Sequence, residues 1–148
     1  LAGLVAITAP CAVVGNGAAI YIGLVAGILV IFGIGWLDKI HVDDPVGAIT
    51  VHGICGVWGT LAVGIFGQAA LGAPSDGLFY GGGFGQLGIQ SLGILACLSF
   101  TAFAMWIAFS AIRSVLGLRV SHETELRGLD LDEHGMESYG GFQIFTTD

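Results

Sequence analysis

The sequence predicts an all-α membrane protein, a polytopic bundle of apolar helices followed by a short polar tail. Of its 148 residues, 55% are hydrophobic and only 10% are charged, whereas a water-soluble domain of this size carries about a quarter charged residues. The apolar residues fall into runs of membrane-crossing length, separated by glycine-rich or charged links. Most acidic residues lie after position 120. Composition therefore divides the chain into a membrane region, residues 1–112, and a tail, residues 113–148.

The membrane region begins with one short apolar run and one complete span. Leu1–Thr8 is too short to cross a bilayer, so we expect it to be the end of a helix that starts earlier in a longer chain. Pro10 and the Gly15–Gly17 cluster mark a break in helical structure. Residues 18–36 follow without a charged side chain and form the first predicted span. Trp36 at their end is typical of a membrane–water interface.

The second predicted span, residues 45–66, has a strong helix-start signal. Asp43 and Asp44 precede Pro45, and we expect them to hold the start of the helix. A carboxylate at the N-cap accepts an otherwise unpaired backbone N–H, and proline has no N–H to lose. The run contains no charged side chain, and at 1.5 Å per residue it is about 33 Å long, enough to cross a hydrocarbon core of about 30 Å.

His52 lies inside this second span. An ionisable side chain in a bilayer is costly, so it implies a partner or a polar cavity. Small residues at helical spacing are expected to share its face and leave room beside the imidazole: Ala48, Cys55, Gly56 and Gly59. Two interpretations stay open at this point, a structural histidine that bridges two helices and a histidine that lines a pore.

The third predicted span, residues 87–112, follows a glycine-rich loop that contains no lysine or arginine. Lys39 follows the first span, and Arg113 and Arg119 follow the third. Basic residues concentrate on the cytoplasmic side of membrane proteins. We therefore expect the 38–44 link and the tail to be cytoplasmic, and the glycine-rich loop to face outward.

The tail, residues 113–148, is too short to hold a core of its own. Ser121 is placed to cap a short helix, and Gly128 is a natural stop for it. The segment after Gly128 is acidic and rich in turn-forming residues. We expect the tail to dock on the membrane part, bind a partner or remain mobile.

The spacing of the cysteines and histidines and the small number of basic residues argue against several classes of function. Cys11, Cys55 and Cys97 are far apart and show no metal-binding spacing. We find no Ser/His/Asp or Cys/His catalytic grouping and no second histidine within a span for a haem. Four basic residues cannot form a nucleic-acid surface. The expectation is a protein that is not an enzyme and needs no metal or organic cofactor.

Two sequence blocks resemble the ammonium transporter (Amt/Mep/Rh) family. The first is DDPVGAITVHGICG at residues 43–56, and the second is GLRV at residues 117–120, followed by Glu125, Gly128, Asp130 and His134. GLVAIT at residues 3–8 and GLFYGGG at residues 77–83 are similar to the family as well. The blocks occur in the order and spacing of the family's C-terminal end, and the tail motif favours the Amt branch.

The resemblance implies the C-terminal part of an eleven-span ammonium transporter in the plasma (inner) membrane. Such proteins are homotrimers with a narrow apolar pore in each subunit, which conducts ammonium or ammonia. His52 corresponds to the second of two adjacent pore histidines, and the first lies in an earlier span that this chain lacks. The implied function is therefore transport of ammonium or ammonia past a histidine pair.

For the tail, the resemblance implies regulation. Glu125, Gly128, Asp130 and His134 match the regulatory motif, which contacts the neighbouring subunit and in many prokaryotic members accompanies docking of a PII-type signalling protein. Asp132 stands where plant members often have a phosphorylated threonine. Two alternative functions stay open: an ammonium sensor that signals through its cytoplasmic tail, and a channel of the Rh type for ammonia or carbon dioxide.

Overall fold

The computed structural model of the protein describes residues 1–138. Within this range the chain forms helices and turns and no strand, which confirms the predicted all-helical fold class. Six α-helices are joined by one π-helical segment and two short 3-10 turns. Their bounds are α1 Ala2–Thr8, α2 Asn16–Lys39, the π-helical segment Ile49–Ile54, α3 Cys55–Phe66, the 3-10 turns Ala69–Leu71 and Leu78–Tyr80, α4 Gly85–Val115, α5 His122–Arg127 and α6 Leu129–His134.

Three helical stretches are long and apolar enough to cross a membrane: Asn16–Lys39, Ile49–Phe66 and Gly85–Val115. The first and third extend two or three residues beyond both ends of the predicted spans 18–36 and 87–112. Helix ends are the least certain part of a sequence-based prediction, because polar residues at the interface continue the helical hydrogen bonding.

The second span begins at Ile49, not at Pro45 as predicted. Pro45 and the following residue form a turn, in which the N–H of Gly47 donates to the backbone oxygen of Asp44 at 3.0 Å. Gly47 has φ of +69°, a left-handed conformation that a helix interior does not contain. The helical span is therefore 18 residues long, and the predicted 22-residue helix is wrong at its N-terminal end.

Residues 1–100 form one compact unit, in which α1 packs on α2 and α3. The contact between α1 and α3 depends on glycine: a Cβ atom added to Gly59 would lie 2.2 Å from the backbone oxygen of Ala6. Gly3 of α1 also lies near Gly23 of α2, but a Cβ atom there would make only an ordinary contact, 3.7 Å from the Cα atom of Gly23. Apolar helices in a membrane associate by such close packing of small residues. The core around these contacts is made of fully buried small and branched side chains, Ala6, Ile22, Ala26, Cys55 and Ala62.

The beginning of α4 is fixed within the same unit. A Cβ atom on Gly64 of α3 would meet the Cα atom of Leu87 at 2.5 Å. Gln86 is buried, and its Oε1 accepts a hydrogen bond from Ser75 Oγ at 3.3 Å. The loop before α4 is closed by Asp76, whose Oδ1 accepts the N–H of Ala69 at 2.8 Å. These contacts tie the glycine-rich loop to the helices on either side of it.

Residues from Thr101 onward form the second unit, which holds the C-terminal half of α4 together with α5 and α6. The side chain of Ser121 caps α5 by accepting the N–H of Thr124 at 3.1 Å. Gly128 separates the two short helices with φ of +96°. Arg127 and Glu123 pair across one turn of α5 at 2.7 Å, but both side chains are exposed, so this pair contributes little to stability.

The glycine contact between α1 and α3 leads to a stability prediction. We expect Gly59→Ala to destabilise the full-length protein by about 1–3 kcal/mol, because the added methyl group overlaps backbone atoms that cannot rotate away. Gly56→Ala is the matched control, since a Cβ atom there meets nothing within 4 Å. Thermal unfolding in detergent measures both variants. Equal unfolding temperatures for the two would contradict the packing described here.

Candidate functional site

The candidate site is built on the π-helical segment Ile49–Ile54, which carries His52. The bond that defines the π-helix runs from the N–H of Cys55, which donates to the backbone oxygen of Thr50, five residues earlier. A π-helical turn contains more residues than an α-helical turn, so it rotates the side chains before it relative to those after it. Such segments are rare and occur frequently at functional sites.

His52 lies on the exposed side of this segment, whereas the residues immediately before it, Thr50 and Val51, are buried. Cys55 and Gly59 are also buried, against α2 and α1 respectively. The prediction that Cys55 and Gly59 share one face with His52 is therefore wrong. Cys55 and Gly59 pack against neighbouring helices, which residue spacing alone does not show. Ala48 is exposed and Gly56 is half-buried.

Helix α3 is anchored on α2 directly after the π-helical segment. The Trp58 indole N–H donates to the backbone oxygen of Ile22 at 3.1 Å. One turn earlier, the Cys55 Sγ lies 3.7 Å from the backbone oxygen of Ala26. An indole N–H in an apolar region requires an acceptor, and a helical carbonyl has a second lone pair to offer. These bonds keep α3 against α2 directly after the segment that carries His52.

The other end of the segment is capped by Asp44. Its carboxylate accepts the N–H of Ile49 at 3.1 Å and the N–H of Thr50 at 3.3 Å. The first N–H groups of a helix have no partner within the helix, and a negative charge there also complements the helix dipole. Asp43 makes no side-chain hydrogen bond to any residue between 1 and 138. Of the two aspartates that were predicted to hold the helix start, only Asp44 contacts it.

An aromatic cluster at the far end of α3 was missed by the sequence analysis. The ring of Phe66 packs edge to face against Tyr21, Trp58 and Phe79, with centroid separations of 5.7, 6.5 and 5.1 Å. The four residues come from α2, α3 and the loop after α3, so no local spacing connects them. The only signal in the sequence is the presence of aromatic residues beside the glycines of that loop. The cluster fixes the loop to the helix ends.

The four tail residues that were predicted to be regulatory lie in or between α5 and α6. The carboxylate of Glu125 in α5 accepts a hydrogen bond from the guanidinium of Arg119. Gly128 joins the two helices, and its N–H donates to the backbone oxygen of Thr124 at 3.0 Å. The Oδ2 of Asp130 accepts the N–H of Ser138 at 3.0 Å. His134 is the last residue of α6.

The pKa of Asp130 is lowered from its ordinary value. The main cause is the hydrogen bond from the Ser138 N–H, which favours the charged carboxylate, and the positive field of His134 adds to it. Because the hydrogen bond between Asp130 and Ser138 is exposed to solvent, it organises the local turn and contributes little to the stability of the whole chain.

Among residues 1–138, no group of three or more His, Cys, Asp or Glu side chains is arranged to hold a metal ion. The chemistry that His52 offers is hydrogen bonding and proton exchange. A neutral imidazole has one donor and one acceptor nitrogen, and both nitrogens donate in the protonated form.

Comparisons with known proteins match this chain to ammonium transporters along almost its whole length. The model of the family described as "Ammonium Transporter Family" matches residues 1–139. Ammonium transporter Amt2 of Archaeoglobus fulgidus is 39% identical over 153 residues, covering 100% of this chain and 33% of the relative. The ammonium transporter of Mycobacterium tuberculosis is 38% identical, covering 94% and 30%. Ammonium transporter 1 member 1 of Solanum lycopersicum is 38% identical with the same coverage, 94% and 30%. The chain thus spans about a third of the length of these relatives.

The cap on the π-helical segment leads to a prediction for Asp44. We expect Asp44→Ala to destabilise the full-length protein by about 1 kcal/mol, because two backbone N–H groups lose their acceptor. Asp44→Asn keeps one acceptor oxygen and should cost less. Thermal unfolding in detergent measures these variants, with Asp43→Ala as the matched control, which should leave the unfolding temperature unchanged. An effect of Asp43→Ala as large as that of Asp44→Ala would contradict this role.

The Asp130 contact leads to a prediction about pH. The pKa of Asp130 is lowered in the folded tail. Its contribution to the stability of the tail is therefore complete above the ordinary carboxyl pKa, and it is lost as pH falls through the lowered pKa. Carbon-13 NMR of labelled aspartate in the full-length protein should follow this titration. Ser138→Pro removes the donating N–H and should raise the pKa of Asp130. An unchanged titration in that variant would show that the backbone bond is not the cause.

Proposed function

Because the chain belongs to the ammonium transporter family, we propose that the protein carries ammonium or ammonia across a membrane and that His52 lines the conducting pathway. The observation that carries this proposal is the placement of His52. It is an ionisable residue in an apolar helix of membrane-spanning length, and it is exposed whereas Cys55 and Gly59 of the same helix are buried.

The position of His52 supports a pathway more than a structural bridge. A bridging histidine would donate or accept a hydrogen bond to a neighbouring helix, and its imidazole has no such partner within residues 1–138. A polar side chain facing lipid is expensive, so the exposed side of this helix must meet protein or a polar cavity. Both α1 and α2 pack against the buried side, where Cys55 and Gly59 lie. The side that carries His52 is left free to line a pore.

The chemistry of the imidazole fits a small nitrogen compound. An ammonium ion loses too much hydration energy to enter a narrow apolar passage as a bare charge, whereas ammonia is neutral and can both donate and accept a hydrogen bond. A neutral imidazole presents one donor and one acceptor to it. We propose that a second histidine, outside this chain, pairs with His52, so that the two rings bind ammonia and exchange protons with each other.

The arrangement of the chain in the membrane is part of this proposal. Residues 1–112 form the membrane region of a homotrimer in the plasma membrane, and residues 113–148 form a cytoplasmic tail. The distribution of basic residues supports this orientation, because Lys39, Arg113 and Arg119 follow spans that end on one side, and the loop on the other side has none. In the tail we propose that Glu125, Gly128, Asp130 and His134 regulate transport, and that a PII-type protein docks beside them.

The role of His52 is tested by ammonium flux into liposomes that contain the full-length protein. We expect His52→Ala to abolish the flux or to change its selectivity while the oligomer remains assembled. His41→Asn is the matched control, because His41 lies in the link between two spans and has φ of +59°, a conformation that asparagine tolerates. This control should conduct like the wild type.

The same measurement separates the alternatives. Equal flux and selectivity in the wild type and in His52→Ala would make His52 a structural residue and contradict the proposal. Ammonium binding without flux in the wild type would replace transport by a sensor that signals through its tail. Conduction of carbon dioxide alongside ammonia would instead indicate a channel of the Rh type.

A further inference from the structure

Gly33 of α2 is in unusually close contact with the π-helical segment. A Cβ atom added there would lie 2.5 Å from Thr50 Cγ2 and 3.0 Å from Ile54 Cδ1. The other α2 glycines are different, because a Cβ atom would meet nothing within 4 Å at Gly17, Gly23, Gly27 and Gly35. Glycine at position 33 is therefore required by a specific neighbour, not by the general packing of α2.

Thr50 is held on two sides at this contact. Its backbone N–H donates to Asp44, and its methyl group fills the space that the missing side chain of Gly33 leaves. The side chain is completely buried, and its Oγ1 has no hydrogen-bond partner in the described part of the chain. The methyl group, and not the hydroxyl, is the part of Thr50 that comes closest to Gly33, at 2.5 Å for Cγ2 and 3.4 Å for Oγ1 from an added Cβ atom.

The position of Thr50 is transmitted to His52 through the backbone. The oxygen of Thr50 accepts the N–H of Cys55, and the residues enclosed by this bond include His52. Cys55 in turn begins α3, which is fixed on α2 by the bond of the Trp58 indole. A shift of Thr50 away from α2 must therefore move the short turn that presents His52, since the end of that turn is held in place.

We propose that Gly33 and Thr50 are positioning residues for His52. Their contact sets the distance between α2 and the π-helical segment, and through it the direction in which the imidazole faces. Neither residue contacts the transported species. The inference rests on the proposed role of His52 in conduction.

The test adds a methyl group at position 33 of the full-length protein and then removes one at position 50. Gly33→Ala places a methyl group against Thr50 Cγ2 and pushes the π-helical segment outward. We expect ammonium flux per assembled oligomer to fall by about tenfold or more, since a misplacement of about 1 Å at a reacting group can cost about a hundredfold. Flux of ammonium relative to methylammonium should change as well, because the imidazole then faces a different part of the pathway.

A compensating substitution makes the test specific. Thr50→Ser removes the Cγ2 atom that the new methyl group meets, so Gly33→Ala combined with Thr50→Ser should recover flux and selectivity to within about threefold of the wild type. Gly35→Ala is the matched control: it makes the same chemical change on the same helix, two residues away, where a Cβ atom has nothing within 4 Å. It should conduct like the wild type.

Three results would overturn the inference. The first is equal flux per oligomer in Gly33→Ala and Gly35→Ala. The second is a double variant that conducts no better than Gly33→Ala. The third is a loss confined to the amount of folded protein, with flux per oligomer and selectivity unchanged. Failure of the proposed function gives a different pattern: either the wild type itself shows no flux, or His52→Ala conducts like the wild type whatever Gly33→Ala does.

Discussion

The change from π-helical to α-helical hydrogen bonding at Cys55 determines which side chains of the second spanning helix face its neighbours. The bond from Cys55 to Thr50 encloses an additional residue, so the side chains on either side of it do not follow one helical spacing. Cys55 and Gly59 are buried against α2 and α1, whereas His52 is exposed.

This irregular turn is held by its surroundings. Asp44 supplies the hydrogen-bond acceptor at the start of the segment, and the Trp58 indole anchors the helix that follows it. Glycines at the helix crossings allow the backbones to approach closely enough for these bonds to form. In a bilayer, where apolar burial between helices provides little driving force, such packing and hydrogen bonds are the main source of specificity. The tail is held together by other interactions. Its two short helices are organised by the Ser121 cap, the positive φ of Gly128 between them and the Asp130 hydrogen bond.

The sequence was sufficient for the fold class but not for the detail of the site. Long apolar runs predict spanning helices because only helices and closed barrels satisfy their backbone groups in lipid. Asp44 was identified as a helix cap because capping depends on local chemistry. The start of the helix was placed four residues too early, because the left-handed conformation of Gly47 is not encoded in any periodic pattern. The grouping of Cys55 and Gly59 with His52 was wrong, because residue spacing alone does not show which side chains are buried against α1 and α2. The aromatic cluster around Phe66 joins residues far apart in sequence and required the fold.

In the proposed function, the exposed side of the second spanning helix lines a conducting pathway. The most direct measurement is an experimental structure of the full-length protein in a lipid bilayer, at a resolution that shows side chains. The account predicts a continuous narrow passage across the membrane with the His52 imidazole on its wall and with Cys55 and Gly59 turned away from it. An imidazole packed into lipid, or enclosed by protein with no passage beside it, would contradict the account.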